Sequence, residues 1–169
     1  MGADRSIKSR SKPLYTAEQR IRRDSSKWTL VQGLLAPLQL FAFLGSLVLV
    51  VHFLVTGNSQ DIATVSVVVK TLVLYTIMIT GAIWEKVVFG RYLFAGAFFW
   101  EDAFSMLVIA LHTAYLAALF THTFSARGQM AIALAAYAAY VINATQFLLK
   151  LRAARQQTLQ SFASAEAAS

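Results

Sequence analysis

Long apolar stretches alternate with short polar segments along most of the chain. A helix needs about 20 apolar residues to cross a bilayer, and four stretches are long enough: Gly33–Val55, Ile62–Trp84, Ala103–Phe124 and Met130–Leu151. A transmembrane β-barrel would show alternating segments of about ten residues, whereas these stretches are continuous. The pattern therefore predicts an all-α, polytopic membrane protein built on a bundle of four transmembrane helices.

The same pattern divides the chain into three parts. Residues 1–27 form a basic N-terminal segment, residues 28–151 the four-helix membrane domain, and residues 152–169 a polar tail. Within the first part, TAEQ at residues 16–19 has the spacing of a capping box, which predicts a short helix at the membrane surface through Arg23.

The connections between the predicted spans differ in length. Residues 56–61 and 125–129 are short, so the first two spans and the last two should form antiparallel hairpins. The connection Glu85–Asp102 is longer, and its apolar middle is interrupted by Gly90, Arg91 and Gly96. It is too apolar for water and too interrupted to span, which predicts an interfacial or re-entrant segment between the second and third spans.

Composition and charge support this interpretation. Only 14% of the 169 residues are charged, against about 25% in a soluble domain, and the absence of cysteine excludes disulfides and thiolate metal sites. Thirteen Lys and Arg residues fall on one side of the predicted spans and one, Arg127, on the other, with Lys70 inside a span. The positive-inside rule then predicts that both termini and the 85–102 connection are cytoplasmic. The net charge of +7 reflects topology and contact with anionic lipid, and no nucleic-acid partner is predicted.

Ionisable side chains lie at membrane depth in two spans, where they are costly and usually face the bundle interior. They are Lys70 in the second span and His112 in the third; helical periodicity puts Glu101 and Tyr115 on the His112 face. Each has a structural alternative, since His112 could bond to a neighbouring helix and Lys70 could pair with a carboxylate.

Acidic and aromatic residues are concentrated in WEKVVFGRYLFAGAFFWED, residues 84–102. The rings could simply form an aromatic belt at the membrane surface. Glu101 and Asp102 point about 100° apart on a helix, so one can face a pocket while the other caps the third span. Spacing alone predicts a site rich in acidic and aromatic residues at the cytoplasmic end of the bundle. It does not identify a reaction.

Three long strings resemble the 3-vinyl (bacterio)chlorophyllide hydratase family. The first is VVVKTLVLYTIMITGAIWEKVVFGRYLFAGAFFWEDAFSMLVIALHTAYLAALF, residues 67–120. The others are LYTAEQRIRRDSSKWTLVQGLLAPLQ, residues 14–39, and YAAYVINATQFLLKLRAAR, residues 137–155. The resemblance implies a multi-pass enzyme of the bacterial photosynthetic inner membrane, acting in bacteriochlorophyll biosynthesis. Such enzymes add water across the C3 vinyl group of chlorophyllide a or 3-vinyl bacteriochlorophyllide a, giving the 1-hydroxyethyl derivative.

That chemistry suggests roles for the acidic residues. Hydration begins with protonation of the terminal vinyl carbon by a general acid, and a nearby carboxylate would stabilise the resulting cation and orient the water. Glu101 or Asp102 is predicted as the acid and Glu85 as the partner anion. Glu101 is favoured because it shares the His112 face, and Asp102 is predicted to be a helix cap.

The remaining predicted site residues would bind the pigment. The predicted slot for the planar macrocycle and the face beside it comprise Trp84, Phe98, Phe99, Trp100 and Tyr115. Arg91 or Lys86 would bind the propionate, and His112 would hold the water or ligate the magnesium that the chlorin carries. Hydration moves no electrons, so no cofactor of the protein's own is expected.

Two other functions fit the sequence. A non-enzymatic haem- or pigment-binding protein would use His52 and His112 as axial ligands, although their predicted depths differ. A scaffold for other bacteriochlorophyll-biosynthesis enzymes would show no turnover in isolation.

The predicted topology leads to a direct test. Reporters fused after Thr56, Ile83, Arg127 and Gln157 should report outside, inside, outside and inside, because basic residues are retained in the cytoplasm. Any other alternation would contradict the four assigned spans.

Overall fold

The computed structural model describes residues 14–166 of the chain, and within it the side chains of residues 157, 158 and 160–166 are not described. Residues 1–13 of the basic segment and 167–169 of the tail lie outside the described residues. The described part contains five helices: α1 (Ala17–Ser25), α2 (Lys27–Thr56), α3 (Gln60–Phe89), α4 (Phe99–Thr121) and α5 (Ala126–Glu166). Helices α2 to α5 are long and apolar enough to cross a membrane. The prediction of an all-α chain with four long apolar helices is confirmed, and the crossing of a membrane by these helices stays a prediction.

The helix ends follow from local sequence. Thr16 and Gln19 form the predicted capping box at the start of α1, and the Ser26 hydroxyl accepts a hydrogen bond from the Trp28 N–H at the start of α2. At the C-terminal end of α3, Gly90 caps the helix with φ 82°, a left-handed conformation that glycine adopts without steric cost.

The four long helices pack as two antiparallel hairpins, α2 with α3 and α4 with α5, as predicted. In the first hairpin the Gln32 side chain donates to Thr80, 2.7 Å away. Between hairpins, Ser46 on α2 lies 2.6 Å from the Tyr137 hydroxyl on α5. The Phe43 ring packs 4.9 Å from that of Tyr140, so α2 and α5 are also antiparallel.

The connection between α3 and α4 is shorter than predicted. Both helices continue past the apolar stretches, so Glu85 and Asp102 belong to helices and residues 90–98 form the loop. The loop folds back onto the helix ends, where Ala95 and Phe98 are each 2% exposed. Helix α5 likewise continues into the polar tail, to Glu166. The interfacial or re-entrant placement of the loop stays a prediction.

Candidate functional site

Three carboxyl groups are buried where α3, the 90–98 loop and α4 meet. Glu85 lies in the last turns of α3 and is 5% exposed, while Glu101 and Asp102 lie in the first turn of α4 and are 7% and 3% exposed. We call these three residues the carboxyl cluster. Buried carboxylates normally need charge partners or hydrogen-bond donors, so the partners of each decide what the cluster can do.

Glu85 and Asp102 face each other across the loop. The Phe94 N–H donates to Asp102 Oδ2 at 2.7 Å and the Ala95 N–H donates to Glu85 Oε2 at 3.3 Å. The two carboxyl groups are close enough to interact electrostatically. Phe94 reaches this position with φ 57°, a conformation uncommon for a non-glycine residue.

The predicted capping role of Asp102 is wrong. The N-cap of α4 is Phe98, without a side-chain capping hydrogen bond, and the Asp102 carboxylate instead turns back to the loop and to Glu85. The loop's N–H groups provide a better partner than the helix end, so Asp102 belongs to the cluster as fully as Glu85 does.

Glu101 has a different partner from the other two carboxyls. Its Oε2 accepts a hydrogen bond from Lys150 Nζ on α5, 2.6 Å away, in an ion pair. Lys150 also lies 5.0 Å from the centre of the Phe98 ring, a distance suited to a cation–π interaction. Lys150 was not among the predicted site residues; the signal was its position seven residues, two helical turns, after Asn143 on a face turned to α4.

The predicted aromatic slot is divided in the structure. Trp84 and Phe98 are packed into a ring cluster, with Trp84 also donating to Thr29 at 2.9 Å, and the cluster's other members are Tyr15, Phe89 and Phe147. By contrast, Phe99 and Trp100 are 48% and 69% exposed. The buried rings therefore support the carboxyl cluster, and the exposed pair forms an outer aromatic surface.

The predicted propionate-binding cations lie outside the cluster. Lys86 and Arg91 are both exposed. Lys86 donates to the Gly90 carbonyl at 3.0 Å and lies 5.3 Å from the centre of the Tyr92 ring. Both cations are on the same end of the bundle as Phe99 and Trp100.

A second polar centre lies deeper in the bundle, where Lys70 on α3 meets His112 on α4. Both side chains are fully buried, Lys70 Nζ is hydrogen-bonded to His112 Nε2, and His112 Nδ1 lies 2.7 Å from the Val108 carbonyl oxygen. Lys70 also lies over the rings of Tyr137 and Tyr140. Both histidine nitrogens are thus engaged, so a magnesium ligand role would require Lys70 to leave Nε2. Tyr115 is buried on the same face, as predicted.

The paired-histidine alternative gains no support. His52 is exposed on α2, while His112 is fully buried and bonded through both ring nitrogens. Among the described residues, no group of three or more His, Cys, Asp and Glu side chains could hold a metal ion.

Comparison with known proteins identifies the family. The profile of the 2-vinyl bacteriochlorophyllide hydratase family matches residues 15–153. The chain belongs to this family. A member named 2-vinyl bacteriochlorophyllide hydratase from Rhodobacter capsulatus is 69% identical over 146 residues, covering 86% of this chain and 85% of the relative. One of the same name from Cereibacter sphaeroides is 68% identical over 143 residues, covering 84% and 88%. No solved structure matches the chain. The matched range includes every residue of the carboxyl cluster and Lys150.

The Glu101–Lys150 ion pair should contribute measurably to stability. In a double-mutant cycle of Glu101→Gln and Lys150→Met, measured by unfolding in detergent, we expect a coupling free energy of about 1–3 kcal/mol. The reason is that either single change leaves the other partner without its counter-charge at a largely buried position.

The pair Glu18–Arg22 on α1 is a matched control, because it is an ion pair with side chains 86% and 49% exposed. Its coupling should stay below about 0.5 kcal/mol. Equal coupling in the two cycles would show that Glu101 and Lys150 are as solvated as a surface pair.

Proposed function

We propose that this chain is a hydratase that adds water across the vinyl group of a chlorin in bacteriochlorophyll biosynthesis. The ring carbon that carries this vinyl group is position 3 in the numbering used above and corresponds to position 2 in the relatives' name. The observation that carries the proposal is the carboxyl cluster, in which two buried carboxyl groups face each other beside a third that is ion-paired. Acid-catalysed hydration needs a proton donor, and a carboxylate nearby would stabilise the cation that forms.

The Glu85–Asp102 pair is proposed as the acid. Two carboxylates in contact repel each other, so such pairs retain one proton between them. The Phe94 and Ala95 N–H groups each bind one oxygen of the pair, which fixes the two groups without supplying a full positive charge. The retained proton is then available for the terminal vinyl carbon.

Glu101 is proposed as the fixed negative charge. Its ion pair with Lys150 fixes its orientation, so it suits stabilisation of a developing cation better than donation of a proton. This exchanges the sequence-based roles of Glu101 and Glu85 and keeps the three predicted residues.

The pigment would bind at the outer aromatic surface of the same end. Phe99 and Trp100 present exposed rings to a planar macrocycle, and Arg91 or Lys86 would bind its propionate. The magnesium of a pigment bound there would lie far from His112, which is twelve residues, about 18 Å, along α4 from Trp100, so His112 is not proposed as its ligand. The proposal places this end at the cytoplasmic surface of the photosynthetic membrane, in contact with lipid and neighbouring pathway enzymes. The magnesium belongs to the substrate, and the reaction requires no redox cofactor.

The source of the added oxygen tests the reaction class. Membranes from a chlorophyll-free host that expresses the chain should convert supplied chlorophyllide a to its hydroxyethyl derivative, with oxygen-18 from labelled water in the new hydroxyl. Label from molecular oxygen, or a requirement for a reductant, would identify an oxygenase and contradict the proposal.

The acid assignment leads to a graded set of variants. Glu85→Gln and Asp102→Asn should each lower turnover by about 10²–10⁴-fold, because an amide cannot replace the shared proton. Glu18→Gln, on the exposed face of α1, should change nothing and serves as the control. Protein amount is measured in parallel, and near-normal turnover in both cluster variants would exclude the pair as the acid.

A further inference from the structure

Three amide side chains in the bundle have buried polar atoms without a hydrogen-bond partner in the described part of the chain. The atoms are Nε2 and Oε1 of Gln39 on α2, and Oδ1 of Asn143 and Oε1 of Gln146 on α5. Gln39 is 2% exposed and Asn143 is 8% exposed. Buried polar groups in folded proteins are nearly always satisfied by protein, ordered water or ligand, so these amides indicate an occupied polar site.

Gln39 and Asn143 lie at about the same level of the bundle. The Phe43 ring on α2 packs 4.9 Å from that of Tyr140 on α5. The two helices are antiparallel. One turn from Phe43 towards the start of α2 and one turn from Tyr140 towards the end of α5 therefore bring Gln39 to the level of Asn143. Both side chains are directed into the protein, as their burial shows.

This site adjoins the carboxyl cluster. Asn143 Nδ2 donates to Ser105 Oγ at 2.9 Å, and Ser105 lies one turn beyond Glu101 along α4. Gln146 lies one turn before Lys150 on α5, about 6 Å along the axis. The unpartnered amide atoms therefore extend from the bundle core to the side of the Glu101–Lys150 pair.

We propose that Gln39, Asn143 and Gln146 form an internal water site that supplies and orients the water added to the vinyl group. This inference rests on the proposed hydratase function. Amides suit the task because they both donate and accept hydrogen bonds and carry no charge. They can therefore bind water beside the Glu101–Lys150 pair without taking the proton of the acid pair, and they offer no counter-charge to an anionic group of the pigment.

In this reaction, water delivery can be measured separately from proton transfer. The proton of the acid pair forms a C–H bond with the terminal carbon, using the vinyl π electrons and leaving a cation on the adjacent carbon. Water from the site then forms the C–O bond, and its proton returns to the carboxylate. If water is not delivered, the cation loses a proton from the terminal carbon and the vinyl group is restored. In deuterated water, that return leaves deuterium in the recovered vinyl group.

The experiment compares vinyl deuteration with hydration in membranes that contain the full chain. Gln39→Met and Gln146→Met keep side-chain size and remove the amide. Each should raise the ratio of vinyl deuteration to hydration by about tenfold, the effect of losing one water-orienting hydrogen bond. Removing an unpartnered amide should not lower the amount of folded protein. Mass spectrometry of recovered pigment and product gives the ratio, which is independent of enzyme amount.

Gln32→Met is the matched control, because the Gln32 amide on the same helix is already bonded to Thr80 at 2.7 Å. It should leave the ratio unchanged while lowering stability. An unchanged ratio with a raised KM for the pigment in the Gln39 and Gln146 variants would show that the amides bind pigment and would overturn the water site. An unchanged ratio and unchanged kinetics would also overturn it. A wild-type chain with neither hydration nor deuteration would instead contradict the proposed function itself.

Discussion

The structure depends on how three carboxyl groups are kept out of water at one end of a helical bundle. An isolated buried carboxylate is strongly unfavourable, and the chain meets this constraint in two ways. Glu101 receives the ammonium group of Lys150. Glu85 and Asp102 accept hydrogen bonds from backbone N–H groups of the loop and lie close to each other. The first arrangement neutralises a charge, whereas the second favours retention of a proton.

Much of the surrounding structure serves these contacts. Gly90 ends α3 in a left-handed conformation and the positive φ of Phe94 turns the loop back, so that two successive N–H groups reach the carboxyls. The packed rings of Trp84, Phe89 and Phe98 hold the loop against the helix ends. Phe98 also contacts Lys150, which links the aromatic cluster to the position of Glu101. A substitution in these rings should therefore change the positions of the carboxyl groups in the cluster.

The two polar centres of the bundle differ in chemical character. The carboxyl cluster lies at helix ends, whereas Lys70 and His112 are fully buried along α3 and α4. Lys70 bonded to His112 joins the two hairpins. This hydrogen bond gives Lys70 a structural role in α3 and does not assign it a role in the reaction. The amides of Gln39 and Asn143 lie between the two centres along the bundle.

The four long apolar helices and the buried face of Glu101, His112 and Tyr115 were predictable, because the first follows from the length of each apolar run and the second from the helical period. The contacts within the cluster were not predictable. Whether Asp102 caps α4 or faces Glu85 depends on where the Phe94 N–H points, and this is set by a loop conformation that sequence spacing does not encode. The separation of Trp84 from Trp100, one packed and one exposed, likewise depends on the contacts of Trp84 with Thr29 on α2 and with Phe98 in the loop. Lys150 could have been paired with Glu101 only once α4 and α5 had been aligned.

The central claim is that Glu85 and Asp102 hold a proton at neutral pH. Infrared difference spectroscopy of the protein in membranes tests this most directly, because a protonated carboxyl group has a C=O stretch distinct from that of a carboxylate. The account predicts a protonated-carboxyl band at neutral pH that disappears in both Asp102→Asn and Glu85→Gln and persists in Glu101→Gln. Absence of the band in the wild-type protein, or its loss only in Glu101→Gln, would contradict the account.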